Sequence, residues 1–293
     1  MLDTKLYTLI KVAEQGSFTK AANVLGLTQP AVSQHIRALE DEYGTRIFDR
    51  STNRLILTRE GDKLLTAART MLSIDDKLRQ ELSGVNFGAK DLNIGITHTV
   101  ESNRISQILT RYASERGITI RLFTHPHEKL FQRIRNYELD LAIVDGMVTD
   151  QELCKTTLDT DSLVLVVSPE HAFASKSRIS IDEIKSEKLI LRLPSSGTVN
   201  LFTSTVESRG ISMKEFNVIL EVDNIATIKD LVRAGYGVSV LAKSACADEL
   251  TKGKLIALPI EGMDMTREIN IVYSKDFQYD AFLKDIVAYY REG

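Results

Sequence analysis

Two sets of residues in this chain have the types and the spacing to act on a partner. In the first, Gln29, Ser33 and Arg37 recur at every fourth position, so a helix carrying them lines three hydrogen-bonding side chains along one face. An amide, a hydroxyl and a guanidinium in a row can read base edges in a DNA groove. Arg46, Arg50, Arg54 and Arg59 come next, with Asp49 as the one acid among them, in a chain whose formal net charge is −3. Positive charge is thus concentrated where phosphates would be neutralised. The second set is Thr97-His98-Thr99 with Ser195-Ser196-Gly197-Thr198. Both stand where a strand gives way to a helix. The unpaired N–H groups of a helix start, with hydroxyls beside them, suit a carboxylate or other oxyanion. Each of these hydroxyls taken singly also reads as an ordinary helix cap.

The first set sits on a helical hairpin. Ala21, Ala22, Val24 and Leu25 form an apolar stripe, and Gly26 stops that helix as a left-handed cap. Thr28 can accept N–H bonds at the start of the next helix, where Pro30 is tolerated. Val32, Ile36 and Leu39 recur at helical spacing and turn inward, leaving Gln29, Pro30, Ser33, Gln34 and Arg37 on the outer face. A helix-turn-helix offers such a face to the major groove. A plain hairpin with a solvated face would read the same over these residues. The stretch after Gly44 decides between them: two short apolar runs around a Ser51-Thr52-Asn53 turn make the small hairpin of a winged helix-turn-helix. On this reading Gln29, Ser33 and Arg37 reach bases while Arg50 and Arg54 hold phosphates.

Ser17-Phe18-Thr19-x-Ala21-Ala22, Thr28-Gln29-Pro30-Ala31-Val32-Ser33, Ile36, Leu39-Glu40, Gly44 and Phe48-x-Arg50 resemble, without a gap, the LysR-type transcriptional regulators. The resemblance implies a DNA-binding domain over 1–58 and adds Ser17, Thr19 and Thr28 to the DNA-facing residues. His35 departs from it, standing where that family usually has glutamine. Further family-like signals are Leu139-Asp140-Leu141-Ala142-Ile143, Ser196-Gly197-Thr198, and Asn224 ahead of Ile228-x-x-Leu231-Val232-x-Ala234-Gly235-x-Gly237. Val199 and Ala172 replace an arginine and a proline common in the family. The implied partners are double-stranded DNA with two-fold-related half-sites, a small anionic metabolite, RNA polymerase, and other copies of the chain in a dimer of dimers.

After Thr58 the pattern predicts one long helix. Leu64, Ala68, Met71, Leu78, Leu82 and Val85 follow a heptad seam with a gap at Asp75, beside which Ile74 stands. A linker over 59–87 that pairs two chains fits this length better than a helix packed on its own domain, and the stretch 84–89 reads as a hinge. From 88 to 293 strands and helices alternate. Strands over 92–96, 118–123 and 139–144, with helices over 102–114 and 129–135, give a parallel β-α-β-α-β order. A further strand starts at 163–167, a second α/β unit runs to about 262, and a strand over 269–273 and an amphipathic tail over 282–290 close the chain.

The fold class expected is therefore α/β behind a winged helix-turn-helix domain. The resemblance implies two Rossmann-like lobes of the type 2 periplasmic-binding-protein kind. Lobe 1 takes about 91–161 plus 267–293 and lobe 2 about 162–266, with crossing strands near Thr160 and Met265. Open α/β sheets bind ligands at the C-terminal ends of their strands. The candidate effector residues are accordingly Thr97, His98, Thr99, Asp145, Ser195, Ser196, Thr198 and Asn224.

Composition excludes several alternatives. A hydrophobic content of 43% with 26% charged residues is ordinary for a globular protein. Cys154 and Cys246 lack a C-x-x-C partner and read as thiols in a reducing cytosol rather than a disulfide framework. No apolar run reaches membrane-spanning length, and the amphipathic, charged N-terminus does not read as a signal peptide, so a cytoplasmic protein is expected. His125-Pro126-His127 could hold a metal, but no carboxylate or cysteine completes a recognisable site, and it reads as a polar strand-end turn. There is no Gly-x-Ser-x-Gly elbow and no Walker loop, and Gly235-x-Gly237 follows a helix rather than a strand. Neither catalysis nor a cofactor is expected. A solute-binding protein would share the lobes but not the helix-turn-helix, which leaves a ligand-responsive regulator.

Overall fold

The computed structural model describes residues 3–49, 55–83, 91–102, 104–277 and 280–292. It forms two compact units. The N-terminal unit consists of α1 (Thr4–Gln15), α2 (Phe18–Leu25), α3 (Gln29–Tyr43), a hairpin of β1 (Phe48–Asp49) and β2 (Ile56–Leu57), and α4 (Arg59–Ser83). Gly26 ends α2 at φ 65°, a conformation in which a Cβ would be strained. Leu6, Leu9, Ile10 and Val12 of α1 pack on Ala21 and Ala22, on Val32, Ile36 and Leu39, and on Ile47, Phe48, Leu65 and Ala68. Leu9, Ile36 and Leu39 are at most 1% exposed, and burying each such side chain stabilises the unit by about 1.5–3 kcal/mol. Val24 does not join the expected stripe: it is 57% exposed, because α2 turns positions 21, 22 and 25 inward and leaves 24 on the outer side.

The long helix divides. Thr58 caps its start, accepting from Gly61 N at 2.9 Å, and Leu64, Leu65, Ala68 and Leu72 pack against the unit's own core. From Met71 onward the expected seam is open: Met71, Ile74 and Leu78 are 48%, 58% and 51% exposed. The side chain of Leu82, residue Val85, the hinge stretch, Arg50, the Ser51-Thr52-Asn53 turn and Arg54 lie outside the described residues. Gly61 is needed where α4 passes the start of the wing, since a Cβ there would sit 2.1 Å from the Ile47 carbonyl oxygen.

The C-terminal unit runs β3 (Asp91–Ile96), α5 (His98–Glu101), α6 (Ile105–Arg116), β4 (Thr119–Thr124), α7 (His127–Arg135), β5 (Leu141–Asp145) and β6 (Leu153–Val167). It continues with α8 (Ile181–Lys185), β7 (Lys188–Arg192), α9 (Gly197–Glu207), β8 (Asn217–Val222), α10 (Ile225–Arg233), β9 (Ser239–Ala242) and α11 (Ala247–Thr251), and closes with β10 (Ile256–Leu258), β11 (Thr266–Ser274) and α12 (Asp280–Glu292). In lobe 1, β3 is parallel to β4 and to β5. β11 returns antiparallel between β5 and β6. In lobe 2, β7 and β8 are parallel, and β9 and β10 pair antiparallel with the far half of β6.

Two boundaries differ instructively from the sequence reading. β6 begins ten residues before position 163, because a single strand of 15 residues serves both lobes. It pairs with β11 as far as Ser162 and with β9 from Leu163. The helix expected over 102–114 is α6, which starts at Ile105, and a separate four-residue α5 capped by Thr97 precedes it. Where β6 and β11 cross between the lobes, Thr160 faces Glu268 in the ladder and Leu163 N donates to Met265 O at 3.1 Å. Separate cores hold the lobes. Ile94, Ile96, Leu141, Ile143 and Ile271 anchor one face of the first sheet, while Phe202, Ile190, Val238 and Val240 centre the second lobe.

Candidate functional site

In the N-terminal unit α3 follows the turn after α2 as the second helix of the helix-turn-helix. Thr28 is its N-cap, accepting from Ala31 N, and Pro30 lies in its first turn. Gln29, Pro30, Gln34 and Arg37 are exposed and Ser33 is half-buried. Gln29 Nε2 donates to Ser33 Oγ at 2.9 Å. That contact orders both side chains while leaving the serine O–H free to donate outward. Ser17 caps α2 through Lys20 N, and Thr19 is exposed beside it. His35 turns the other way: its Nδ1 lies 2.9 Å from the hydroxyl of the buried Thr8 in α1. This departure from the family pattern therefore serves packing of α1 on α3. Val199, the second departure, is 8% exposed in the core of lobe 2. At the third, Ala172 opens a short 3-10 turn capped by His171.

In the C-terminal unit the strand ends enclose a cavity of about 670 Å³, within the range of small-ligand sites. Lobe 1 contributes Thr97, His98, Thr99, His125, His127 and Asp145; lobe 2 contributes Arg192, Ser195, Ser196, Gly197, Asn200 and Asp223. Ser196 caps the 11-residue α9, accepting from Val199 N at 3.2 Å, so the start of that helix opens on the cavity. A neighbouring cavity of about 830 Å³ shares His127, Asp145, Gly197 and Asn200 and reaches Lys155, Ser204 and Arg267.

Asp145 is the floor between the two cavities. It is 3% exposed, and its Oδ2 lies 2.5 Å from Arg267 Nη1. The other carboxylate oxygen accepts from the Thr97 hydroxyl, and His127 Nε2 lies 2.6 Å from the Asp145 carbonyl. Burial pushes this carboxyl up, but the guanidinium, the Thr97 hydroxyl and nearby His127 together hold it below the usual carboxylate range. Arg267 Nη1 also reaches Thr198 Oγ1 at 3.5 Å, while its Nε and Nη2 have no hydrogen-bond partner among the described residues. Burial, with Lys129 and Arg133 beyond it, pulls His125 below the usual histidine range.

The buried cation lining the 670 Å³ cavity is Arg192, at the end of β7. It is 3% exposed and its Nη2 lies 3.0 Å from Asp223 Oδ1. Asp223 Oδ2 in turn lies 3.9 Å from His98 Nε2, across the cavity.

Six of the eight candidate effector residues thus meet at one cavity. Two do not line either cavity: Thr198 is 2% exposed and turned to Arg267, and Asn224 caps α10 through Thr227 N. Thr97 lines it, but its hydroxyl is committed to Asp145 and Val100 N. His125-Pro126-His127 is more than a strand-end turn, since all three residues face the cavity. No three His, Cys, Asp or Glu side chains among the described residues are grouped to hold a metal. Arg192, Arg267 and Asp223 were not singled out in the sequence. The arginines had a signal, each a charge in or beside an apolar strand run (Leu189-Ile190-Leu191-Arg192 and Arg267-Glu268-Ile269). No described helix is long and apolar enough to cross a membrane.

Two family models match the chain. One, described as a LysR substrate binding domain, covers residues 88–293. The other, a bacterial regulatory helix-turn-helix protein of the lysR family, covers 4–62. The transcriptional regulator CbbR of Rhodospirillum rubrum is 31% identical over 266 residues, 89% of this chain and 86% of that protein. A full-length OxyR variant of Pseudomonas aeruginosa superposes with a TM-score of 0.82 at 21% identity, covering 98% of this chain and 94% of that one. The regulatory domain of Synechocystis PCC6803 CcmR, solved in complex with 2-PG, matches with a TM-score of 0.59 at 25% identity, covering 68% of this chain and 96% of that one.

Proposed function

Because this chain belongs to the LysR family of DNA-binding transcriptional regulators, we propose that a small anionic metabolite, bound in the 670 Å³ cavity between its lobes, switches its hold on DNA. The observation that carries this reading is the buried Arg192 beside the start of α9, both opening on one cavity with the hydroxyls of Thr99, Ser195 and Ser196. A guanidinium that cannot lose its proton, hydroxyl donors and a helix N-terminus favour an oxyanion over a neutral or cationic ligand. The 2-PG bound by the related CcmR regulatory domain makes that compound a first one to test on this chain.

A ligand changes DNA binding only if it favours one arrangement of the protein over another. Contacts from both lobes to one small anion give that preference, because they form together only when the lobes sit at one spacing. Gln29, Ser33 and Arg37 read the bases, with Arg50 and Arg54 on phosphates. The exposed Met71, Ile74 and Leu78 pair α4 with that of a second chain. A second pairing through the effector lobes makes a dimer of dimers on two-fold-related half-sites, and contact with RNA polymerase passes the state of the lobes to transcription.

A thermal-shift screen of small anionic metabolites on the full chain tests the cavity, since a ligand bound by the folded state alone raises its stability by mass action. Thr99→Val or Ser196→Ala should cost the effector so found about 1.5–3 kcal/mol of affinity, each removing a hydroxyl from a buried charged contact. Unaltered affinity in both variants refutes the assignment.

A further inference from the structure

We propose that Asp223 is a resident counter-ion for Arg192, holding the place of the effector's anion until the effector displaces it; this rests on reading the cavity as an anion site. Arg192 ends β7 and Asp223 follows β8, and the parallel register pairs Arg192 with Val222. The two residues thus stand at adjacent strand ends, Asp223 one position past the partner of Arg192, and their side chains meet there at 3.0 Å. Arg192 is 3% exposed, and its Nε has no partner among the described residues. A buried guanidinium keeps its charge, so an anion must face it. Asp223 does this from a side chain that is 57% exposed.

The contrast with Asp145 separates a fixed pair from one that can open. Asp145 is 3% exposed, ion-paired to Arg267 and bonded by Thr97. Asp223 has the Arg192 contact at 3.0 Å and a longer approach of 3.9 Å to His98 Nε2. Half-solvated, its carboxylate loses little on swinging into water. Its position is also informative, because it stands between a cation of lobe 2 and an imidazole of lobe 1. That is where a bound oxyanion would touch both lobes. A carboxylate or phosphate can offer Arg192 two parallel acceptors and take over the place; a neutral molecule cannot replace the charge. Asp223 thus sets a threshold that an incoming ligand must exceed, and so selects for strong oxyanions.

The test is isothermal titration of the full chain with inorganic phosphate and, separately, malonate, for the wild type, Asp223→Asn, Asp230→Asn and Ser196→Ala. Asp223→Asn keeps the shape of an exposed side chain and removes its charge. It should bind at least one probe about two- to fivefold more tightly than the wild type, the strength of a half-exposed ion pair no longer opposing the ligand. Adding Arg192→Gln should abolish the gain. Asp230→Asn removes the same charge from the exposed Asp230 of α10 and should give no gain; an equal gain there overturns the proposal by making the effect one of net charge. Equal or weaker binding by Asp223→Asn while Ser196→Ala binds more weakly than the wild type overturns the counter-ion and leaves the cavity reading standing. If neither probe binds Asp223→Asn at tens of millimolar, or neither variant alters binding, both readings fall.

Discussion

Replacing Arg267 by methionine keeps much of the apolar stem while deleting the charge, and its consequence can be worked from the floor of the cavity. The guanidinium lies 2.5 Å from Asp145 Oδ2, with the two side chains 5% and 3% exposed. Asp161, 4.0 Å from the other Nη atom, keeps its bonds from Ser162 N, Ser244 N and Ser244 Oγ without it. Asp145 would keep only the Thr97 hydroxyl as a side-chain donor. A buried carboxylate stripped of its cation costs about 3–5 kcal/mol at neutral pH.

The pH dependence gives that loss a signature. In the wild type the folded carboxyl is held below its usual range. Its contribution is complete above the unfolded value and is lost as pH falls through the depressed one. In Arg267→Met burial acts without the guanidinium, so the folded carboxyl moves above its unfolded value of about 4 and its charging opposes folding as pH rises. The gap between the two proteins is therefore widest at neutral pH and closes in acid.

Cys246 provides the assay. It is 0% exposed, and burial pushes its thiol up to about 12, so it reacts only when the effector unit opens. Labelling by a dithiodipyridine in a urea series at pH 7 should show the midpoint falling by about 1 M or more. Near pH 4.5 the fall should be smaller, because the variant's carboxyl is then protonated while the wild type's contribution persists, and adding Asp145→Asn should recover most of the loss seen at pH 7. A loss of equal size at both pH values would identify a packing defect and refute the electrostatic reasoning, as would a double variant no better than the single.

Gly61→Ala should destabilise the N-terminal unit by about 1–3 kcal/mol although alanine is the better helix former, because the new Cβ meets a backbone oxygen; faster amide exchange in α1 and α3 checks it. Ser33→Ala or Arg37→Ala should cost about 1–3 kcal/mol at single operator positions, measured by gel shift on an operator and its base-pair variants. A uniform loss across all variants would mean that α3 grips phosphates instead. Changing Met71, Ile74 and Leu78 together to glutamine should halve the particle in light scattering, since their apolar surface is 48–58% exposed in the chain and the change removes the seam. An unaltered mass would place the pairing elsewhere.

Local chemistry made the N-terminal unit legible. Gly26, Thr28 and the inward spacing of Val32, Ile36 and Leu39 each specify their own neighbourhood, and the structure uses each as read. The strands of lobe 1 were legible for the same reason, as apolar runs between turns. What the sequence hid depends on partners distant along the chain. The start of β6 at Leu153 escaped because residues 153–162 alternate in burial only once β11 lies beside them. Arg192 and Arg267 escaped because an arginine at a strand end reads as a surface residue until Asp223 and Asp145 are brought to it. The hydroxyl of Thr198 was expected in the cavity on the strength of its neighbours, and one residue of helical rotation past Gly197 turned it toward Arg267 instead.

The ladder between the crossing strands says something about ancestry as well as motion. Lobe 2 leaves the ladder at Ser162 and returns at Thr266, and these two residues face one another on the same rung. Everything between them is therefore an insert whose ends already touch. Such a segment can be exchanged or lengthened while the ladder between β6 and β11 stays in place. Arg192, Ser196 and Asp223 all belong to the insert, whereas Thr99, His98 and Asp145 belong to the frame. A new ligand could thus be acquired by replacing a cassette, with the helix-turn-helix unit left untouched.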